Sequence, residues 1–451
     1  MLLTIEKLIY GGDGLARLPA TSPANSTSEA LGRGKAVFFP FVLAGEKIEA
    51  TLTAQKPGFA RGKADAIVEP SSHRVLPGCQ YFSRCGGCHY QHATYEHQLE
   101  IKKEILRESL RRLAKIDLEF DIEVHPSPPW NYRNRSRLQV RVSPTFAAGY
   151  FKLASHELLA VEDCPISSPL INRGITALWQ SGRAGKVPVG VREVEFFANA
   201  DDSQLLVDVG CARDARRAAV REWAEELRAA MPKVAGVVAF REANPGDRKA
   251  SPQEVLVTVG EDHLTYQTKL AAYRVSAGSF FQTNRHLTDG LVKIVTDGQS
   301  GEAVLDLYAG VGLFSTALAG DFRHIVSVES SQTSSADLAC NRPSHGEAVQ
   351  ATTEQYLART ENAGRAGRGA VPVPKPDLAV VDPPRSGLGE GVARSLANLG
   401  APRIVYVSCD PATLARDLVP LLAAGYRVEQ VHLVDLFPQT YHLESIVRLT
   451  R

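Results

Sequence analysis

The chain is short of several things, and each shortage narrows what it can be. Seven cysteines are spread over 451 residues. The odd number argues against a disulfide framework and leaves metal binding or catalysis as uses for a thiol. No apolar run reaches the roughly 18 residues that a membrane helix needs, so no membrane partner is expected. Net charge is also scarce: 51 Lys and Arg stand against 50 Asp and Glu, a formal +1. No global field draws a polyanion, and any nucleic-acid surface must be local. Fixed-period repeats are absent. The opening "MLLTIEKLIYGGDG" has Glu6 inside its first apolar stretch. That is not the pattern of an export signal, so a cytoplasmic location is expected.

Apolar residues at 44% and charged residues at 22% describe globular domains, and the length calls for more than one. Residues 1–66 carry short strands punctuated by Gly11, Gly12 and Gly14, the pattern of a small oligonucleotide-binding (OB-like) barrel. Within them "ATSPANSTSEALGRG" (20–34) reads as a flexible insertion. A linking helix is expected over 95–120. There Leu99, Ile101, Ile105, Leu106, Leu110 and Leu113 form one stripe that should pack on a core. Segments 67–94 and 121–266 read as a central, mainly antiparallel β domain with one helix near residues 215–231. From 267 to 451 strands alternate with helices, the rhythm of a doubly wound, Rossmann-like α/β domain. Inside it, "LARTENAGRAGRGAVPVPKP" (357–376) reads as a surface loop. The fold class is therefore a multidomain α/β protein with an N-terminal β-barrel.

The chemistry concentrates in that last domain. "VLDLYAGVGLFS" is an apolar strand ending in a glycine turn that opens a helix. Gly310 and Gly312 let backbone approach a ligand. Ser315 stands where a dinucleotide fingerprint has its third glycine, which favours the nucleoside pocket of an S-adenosylmethionine (SAM) methyltransferase. Glu329 ends the next strand, 19 residues after Gly310, where a carboxylate accepts ribose hydroxyls. Asp382, in "VVDPPRSG", ends a later strand and should face the same crevice. Cys409, in "VSCDPATLARD", closes the strand after that, at a helix N-terminus expected to lower the thiol pKa. A thiolate beside a methyl donor suits carbon 5 of a pyrimidine. Addition at carbon 6 makes carbon 5 nucleophilic, and a base must later remove its hydrogen. Glu444, in "HLESIVRL" beside His442, is the candidate base.

Two further groups stand outside the domain. Cys79, Cys85 and Cys88 are spaced C-x5-C-x2-C, and Cys164, followed by Pro165, is the best fourth ligand. On spacing alone zinc and an iron–sulfur cluster are equal readings. His73, His89 and His92 keep zinc open, although their plainer reading is surface or capping residues. Cys211 and Cys340 read as packing residues. In "NYRNRSRLQVRV", alternation puts Arg133, Arg135, Arg137 and Arg141 on one strand face and Leu138, Val140 and Val142 on the other. Such a row can follow a phosphate backbone, with Trp130 and Tyr132 stacking on bases.

Taken in order, "SFFQTN", "DLYAGVGLFS", "DPPRSG", "VSCDPATLARD" and "HLESIVRL" resemble the RNA 5-methyluridine methyltransferase family, the TrmA/RumA type. The resemblance covers essentially the whole chain, the barrel matching a TRAM domain. It implies that Gln282, Tyr308, Glu329 and Asp382 contact SAM, that Cys409 is the nucleophile and Glu444 the base. It also implies a [4Fe–4S] cluster on the cysteines and an RNA substrate, ribosomal before transfer RNA. The chain departs from the family pattern at Leu313, where a polar residue is common. Two other classes compete. A radical-SAM methylthiotransferase would use a C-x3-C-x2-C triad. A non-catalytic RNA-binding protein would not need Cys409, Glu444, Asp382 and Glu329 together.

Overall fold

Strands with one apolar face close the N-terminal segment on itself. The computed structural model describes residues 1–19, 34–242, 254–365 and 375–451, so the expected insertion lies almost wholly outside the described residues. Strands β1 (Leu2–Thr4), β2 (Lys7–Leu8), β3 (Asp13–Arg17), β4 (Ala36–Pro40), β5 (Lys47–Gln55) and β6 (Phe59–Glu69) form one sheet in the order β1-β5-β6-β4-β3-β2. Val37 and Phe39 on β4, with Ile48 and Ala50 on β5, alternate inward and fill its core.

Helix α1 (Tyr95–Ser109) follows and buries Ile101, Ile105 and Leu106. Its last turn is a π-helical turn, Leu110–Ala114. That turn shifts the helical register, which explains why Leu110 stays buried while Leu113, expected on the same stripe, is 53% exposed. Lys102 is wholly buried and ion-paired to Asp435 at 2.6 Å, with Tyr95 Oη donating to the same carboxylate at 2.9 Å. The helix is thereby fixed to the far end of the chain.

Strand β7 (Glu123–His125) differs from expectation. It pairs in parallel with a strand near the C-terminus instead of joining the central domain. The central sheet holds β8 (Arg135–Arg141), β9 (Ala147–Phe151), β10 (Leu158–Ala160), β11 (Val191–Ala198), β12 (Leu205–Cys211), β13 (Val234–Arg241) and β14 (Glu254–Gly260), in the order β10-β9-β8-β11-β12-β13-β14. It is antiparallel except for β12 and β13. The expected helix is α3 (Arg217–Ala230). A second, α2 (Pro169–Arg183), was not anticipated, although Ser168 caps it and Pro169 begins it. A hairpin of β15 (His263–Gln267) and β16 (Ala272–Ser276) leads out of this domain.

The last sheet is built from β17 (Gly301–Leu307), β18 (Phe322–Glu329), β19 (Gly346–Gln350), β20 (Leu378–Val381), β21 (Arg403–Ser408), β22 (Arg427–Val434) and β23 (Glu444–Thr450), with β7 at its edge. Its order is β19-β18-β17-β20-β21-β23-β22-β7. All neighbours are parallel except those of β23, which runs antiparallel between β21 and β22. Helices α4 (Thr288–Thr296), α5 (Leu313–Ala317), α6 (Gln332–Asn341), α7 (Thr353–Arg365), α8 (Gly389–Leu399) and α9 (Pro411–Ala423) accompany it. Two core clusters share the side chains of its strands: Leu305 and Val381 belong to one, Val304 and Val380 to the other. Burial on both faces explains the near-continuous apolar runs. The first part of the expected 357–376 loop is the end of α7. Among the described residues, no helix is long and apolar enough to cross a membrane.

Because Lys102 has no solvent to fall back on, Asp435→Ala should destabilise the protein by about 3–5 kcal/mol. Chemical-denaturant unfolding of the two proteins measures this.

Candidate active site

The β17 strand ends in a turn that only unusual backbone geometry allows. Gly310 and Gly312 have φ of +57° and +92°, and Tyr308 stands at +60° without being glycine. Strain of that kind is held by its surroundings. Glu329, at the end of β18, accepts the Gly310 N–H at 2.9 Å and the Ser331 N–H at 2.6 Å. Gln282, Tyr308, Gly310 and Asp382 all line one cavity of about 330 Å³, closed further by Phe281, Leu313 and Phe314. Leu313 thus contributes an apolar wall where the family pattern has a polar group.

Asp382 brings a carboxyl into this cavity, and two further buried acids stand close to it in the fold. Asp306 is wholly buried, and burial, with Glu329 nearby, pushes its carboxyl up to about 7. Asp382 is raised to about 7 by burial and then by Asp306. Glu444 is 5% exposed, and burial, followed by Asp382, lifts it well above the ordinary range. Arg385, directly after the prolines, is the cation that opposes this at Glu444. Crowded carboxyls with so little compensation form a site where a cationic ligand relieves the repulsion.

Cys409 and Glu444 meet because of strand register. β21 and β23 are antiparallel, with Ser408 paired to Ser445. Cys409 therefore follows the last pair on one strand at the level where Glu444 begins the other. Asp410 caps α9, its Oδ1 accepting the Ala412 and Thr413 N–H groups at 2.9 Å each. This overturns the expected direction of the thiol pKa. The helix N-terminus spends these donors on a carboxylate, and burial, Glu444 and Asp382 push Cys409 up to about 12. The free enzyme holds a neutral thiol.

Tyr10, from the barrel, donates its hydroxyl to the Cys409 carbonyl at 3.2 Å. It also packs edge-on against Tyr441, which lies between His89 and His442 at ring separations of 4.5 and 4.2 Å. Burial, with Arg385, drives His442 down to about 3, so this imidazole is neutral. Neither Tyr10 nor Arg385 was picked out from sequence. Arg385 had a faint signal, as the first cation after a strand-end carboxylate; Tyr10 had none.

Cys79, Cys85, Cys88 and Cys164 line a single cavity of about 480 Å³ together with Arg133 and Tyr150. Burial raises Cys85 to about 11 and Cys88 to about 12, and neighbouring thiols add to both. The adjoining residues lock onto the active site. The His89 and Tyr90 N–H groups both donate to the Gln439 carbonyl at 2.9 Å, and Tyr132 Oη donates to that of Pro438 at 3.0 Å. His89 and His92 are buried or nearly so rather than surface residues, whereas Cys340, expected in packing, is exposed and Cys211 is buried in the core.

The arginine row does not form a phosphate track. Leu138 and Val140 do face inward, and Arg137 and Arg141 outward. But Arg133 lines the cysteine cavity, and Arg135 and Arg137 both ion-pair with Glu195, at 3.3 and 2.9 Å. Tyr132, expected to stack on bases, is fully buried.

A raised thiol pKa predicts slow alkylation. Iodoacetamide should label exposed Cys340 first. Labelling of Cys409 should accelerate roughly tenfold per pH unit between about pH 7 and 10, as the thiolate fraction grows. Peptide mass spectrometry reads both sites; a pH-independent rate at Cys409 would contradict the buried acid cluster.

Comparison with known proteins agrees with this geometry. The tRNA (uracil-5-)-methyltransferase family model matches residues 94–451, and the TRAM domain model matches residues 1–64. An uncharacterized RNA methyltransferase of Listeria monocytogenes is 31% identical over 99% of this chain and 96% of its own. The 23S rRNA (uracil(1939)-C(5))-methyltransferase RlmD of Pseudomonas fluorescens is 31% identical over 98% of this chain and 90% of its own. The crystal structure of Pyrococcus abyssi tRNA (uracil-54, C5)-methyltransferase with S-adenosyl-L-homocysteine shares the fold, with a TM-score of 0.73 over the whole of both chains at 23% identity. This chain belongs to the tRNA (uracil-5-)-methyltransferase family and is an RNA (uracil-5-)-methyltransferase with an N-terminal TRAM domain.

Proposed function

We propose that the protein methylates carbon 5 of one uridine in 23S ribosomal RNA, with SAM as methyl donor, Cys409 as nucleophile and Glu444 as base. The observation that carries this is the meeting of Cys409 and Glu444 on facing strand ends beside the acidic cavity. Gln282, Tyr308, Gly310, Gly312, Glu329 and Asp382 would hold the donor. The buried Asp306 and Asp382 carboxyls fit a ligand carrying a sulfonium cation. Ribosomal RNA is preferred over transfer RNA because the RlmD relative aligns along nearly the whole chain.

The uridine must leave its stack to reach the thiol. Cys409 Sγ, deprotonated, bonds to carbon 6, and the electron pair of the carbon 5–carbon 6 double bond shifts toward carbon 5 and the neighbouring carbonyl. SAM, when bound, supplies an electrophilic methyl group to that carbon. Glu444 then takes the proton from carbon 5, the double bond re-forms, and the carbon–sulfur bond breaks to return the thiolate. Positive charge in the cavity lowers the pKa of both Cys409 and Glu444, bringing each into the form it needs.

The four cysteines fit a [4Fe–4S] cluster, with zinc as the alternative. They are soft donors around one cavity, and the Arg133 guanidinium, whose Nε has no hydrogen-bond partner, faces the negative charge that four thiolates would bring. Nothing in uridine methylation requires an electron, so the cluster's role is structural. It would hold the Cys88–Tyr90 segment against the loop that precedes Glu444.

Transcripts of 23S rRNA and of tRNA carrying 5-fluorouridine test the chemistry. The unaltered protein should stall as a covalent adduct at Cys409 on the rRNA, and Cys409→Ala should form none. Glu444→Gln should still form the adduct on ordinary RNA while turnover drops by about 10²–10⁴. Adducts on tRNA alone would reassign the substrate, and no adduct at all would remove Cys409 as nucleophile. Anaerobic purification should give about four irons per chain; stoichiometric zinc instead would decide for the alternative. Cys164→Ser should lose the metal.

A further inference from the structure

A groove away from the thiol runs between the barrel and the end of helix α1. Lys7 and Arg17 line it from the barrel, and Arg111, Arg112 and Lys115 from the helix. Its acidic residues are Glu6 and Glu108, so five cations face two carboxylates in a protein whose net charge is +1. Lys7 and Arg112 share Glu108 at 2.5 and 3.2 Å, and Arg17 meets Glu6 at 3.4 Å. Arg111 and Lys115 are exposed, and neither has a carboxylate within 4.0 Å among the described residues. Cations at a helix C-terminus interact favourably with its dipole, which accounts for the helical ones. It does not account for Lys7 and Arg17 on the opposite wall.

We propose that this groove is the track for the phosphate backbone flanking the target uridine, a reading that rests on the RNA substrate assigned above. Two structural links tie it to the chemistry. Lys7 precedes by three residues Tyr10, whose hydroxyl holds the Cys409 carbonyl. Three residues span at most ~10 Å between Cα atoms, so the barrel wall of the groove and the residue that holds the Cys409 carbonyl are near neighbours. Helix α1 is pinned to the loop before Glu444 by the buried Lys102–Asp435 pair. Both walls are thus anchored to the active site, and a strand gripped there has a fixed offset from it. Helix α1 does two jobs. Its apolar stripe packs the core, and its basic last turn, displaced by the π-helical turn, faces the RNA.

The test uses the full-length protein with its metal site loaded and a 23S rRNA fragment that it methylates. Binding is measured by fluorescence anisotropy as salt is raised. Arg111→Ala and Lys115→Ala should each reduce the slope of log K against log salt by about 0.7–1, the value of one phosphate contact. The double charge reversal Arg111→Glu with Lys115→Glu should weaken binding about a hundredfold and raise KM for RNA in proportion. Lys186→Ala, at an exposed cation in the loop after α2 of the central domain, should leave the slope alone. An unchanged slope and KM in the folded double variant, alongside intact methylation, overturns the groove as an RNA track. Failure of the unaltered protein to methylate any RNA would instead overturn the substrate reading beneath it.

Discussion

The structure turns on the antiparallel insertion of β23 between β21 and β22. A parallel sheet would present all its carboxyl ends on one side and would carry Glu444 to the opposite edge. Reversal brings the start of β23 to the ends of its neighbours, so that Glu444 stands level with Cys409 and pairs with Val434. Side chains alternate along a strand, so a slip of one residue would turn Glu444 to the other face of the sheet. The register is held by apolar residues on both faces, and by everything docked on the loop between β22 and β23. Lys102 pairs with Asp435, Tyr132 holds Pro438, and the cysteine-bearing loop holds Gln439. Three distant parts of the chain thereby converge on one loop.

The same arrangement concentrates acid where water is excluded. Burial raises the pKa of Asp306, Asp382, Glu444 and Cys409; Asp306 adds to the rise at Asp382, Asp382 to that at Glu444, and both Glu444 and Asp382 to that at Cys409, and each would be easier to bury as an apolar residue. Proteins tolerate such crowding where chemistry needs it. Here the resting site keeps the Cys409 thiol neutral, which protects it from oxidation and stray alkylation. Positive charge entering the cavity removes the cause of the suppression.

The N-terminal barrel is part of this site as well as an appendage to it. Tyr10 reaches the Cys409 carbonyl, and Gly12 is so close to His89 and Tyr441 that a Cβ there would stand 3.2 and 3.3 Å from their side chains. Its positive φ and its tight fit both favour glycine. The barrel thus lines a basic groove with Lys7 and Arg17 and reaches the Cys409 backbone through Tyr10.

What the sequence alone determined was local. The glycine turn after β17, the carboxylates ending β18 and β20, Cys409 at the start of α9 and the C-x5-C-x2-C spacing were all legible, because strand periodicity, caps and turns act over a few residues. The division into barrel, central β domain and Rossmann-like domain followed from the same periodicities. Tertiary structure decided the rest. Arg135 and Arg137 share an ion-pair partner in Glu195, some 60 residues on in the chain, which no local pattern names. Whether a helix N-terminus would acidify Cys409 depended on how deeply the fold buried the thiol and on which carboxylates it gathered around it, and these outweighed the dipole. Tyr10 and β7 found their partners 399 and about 310 residues away. Charge and hydrogen bonding act through space over a few ångströms, and no pattern in the order of residues reports which distant groups will share that space.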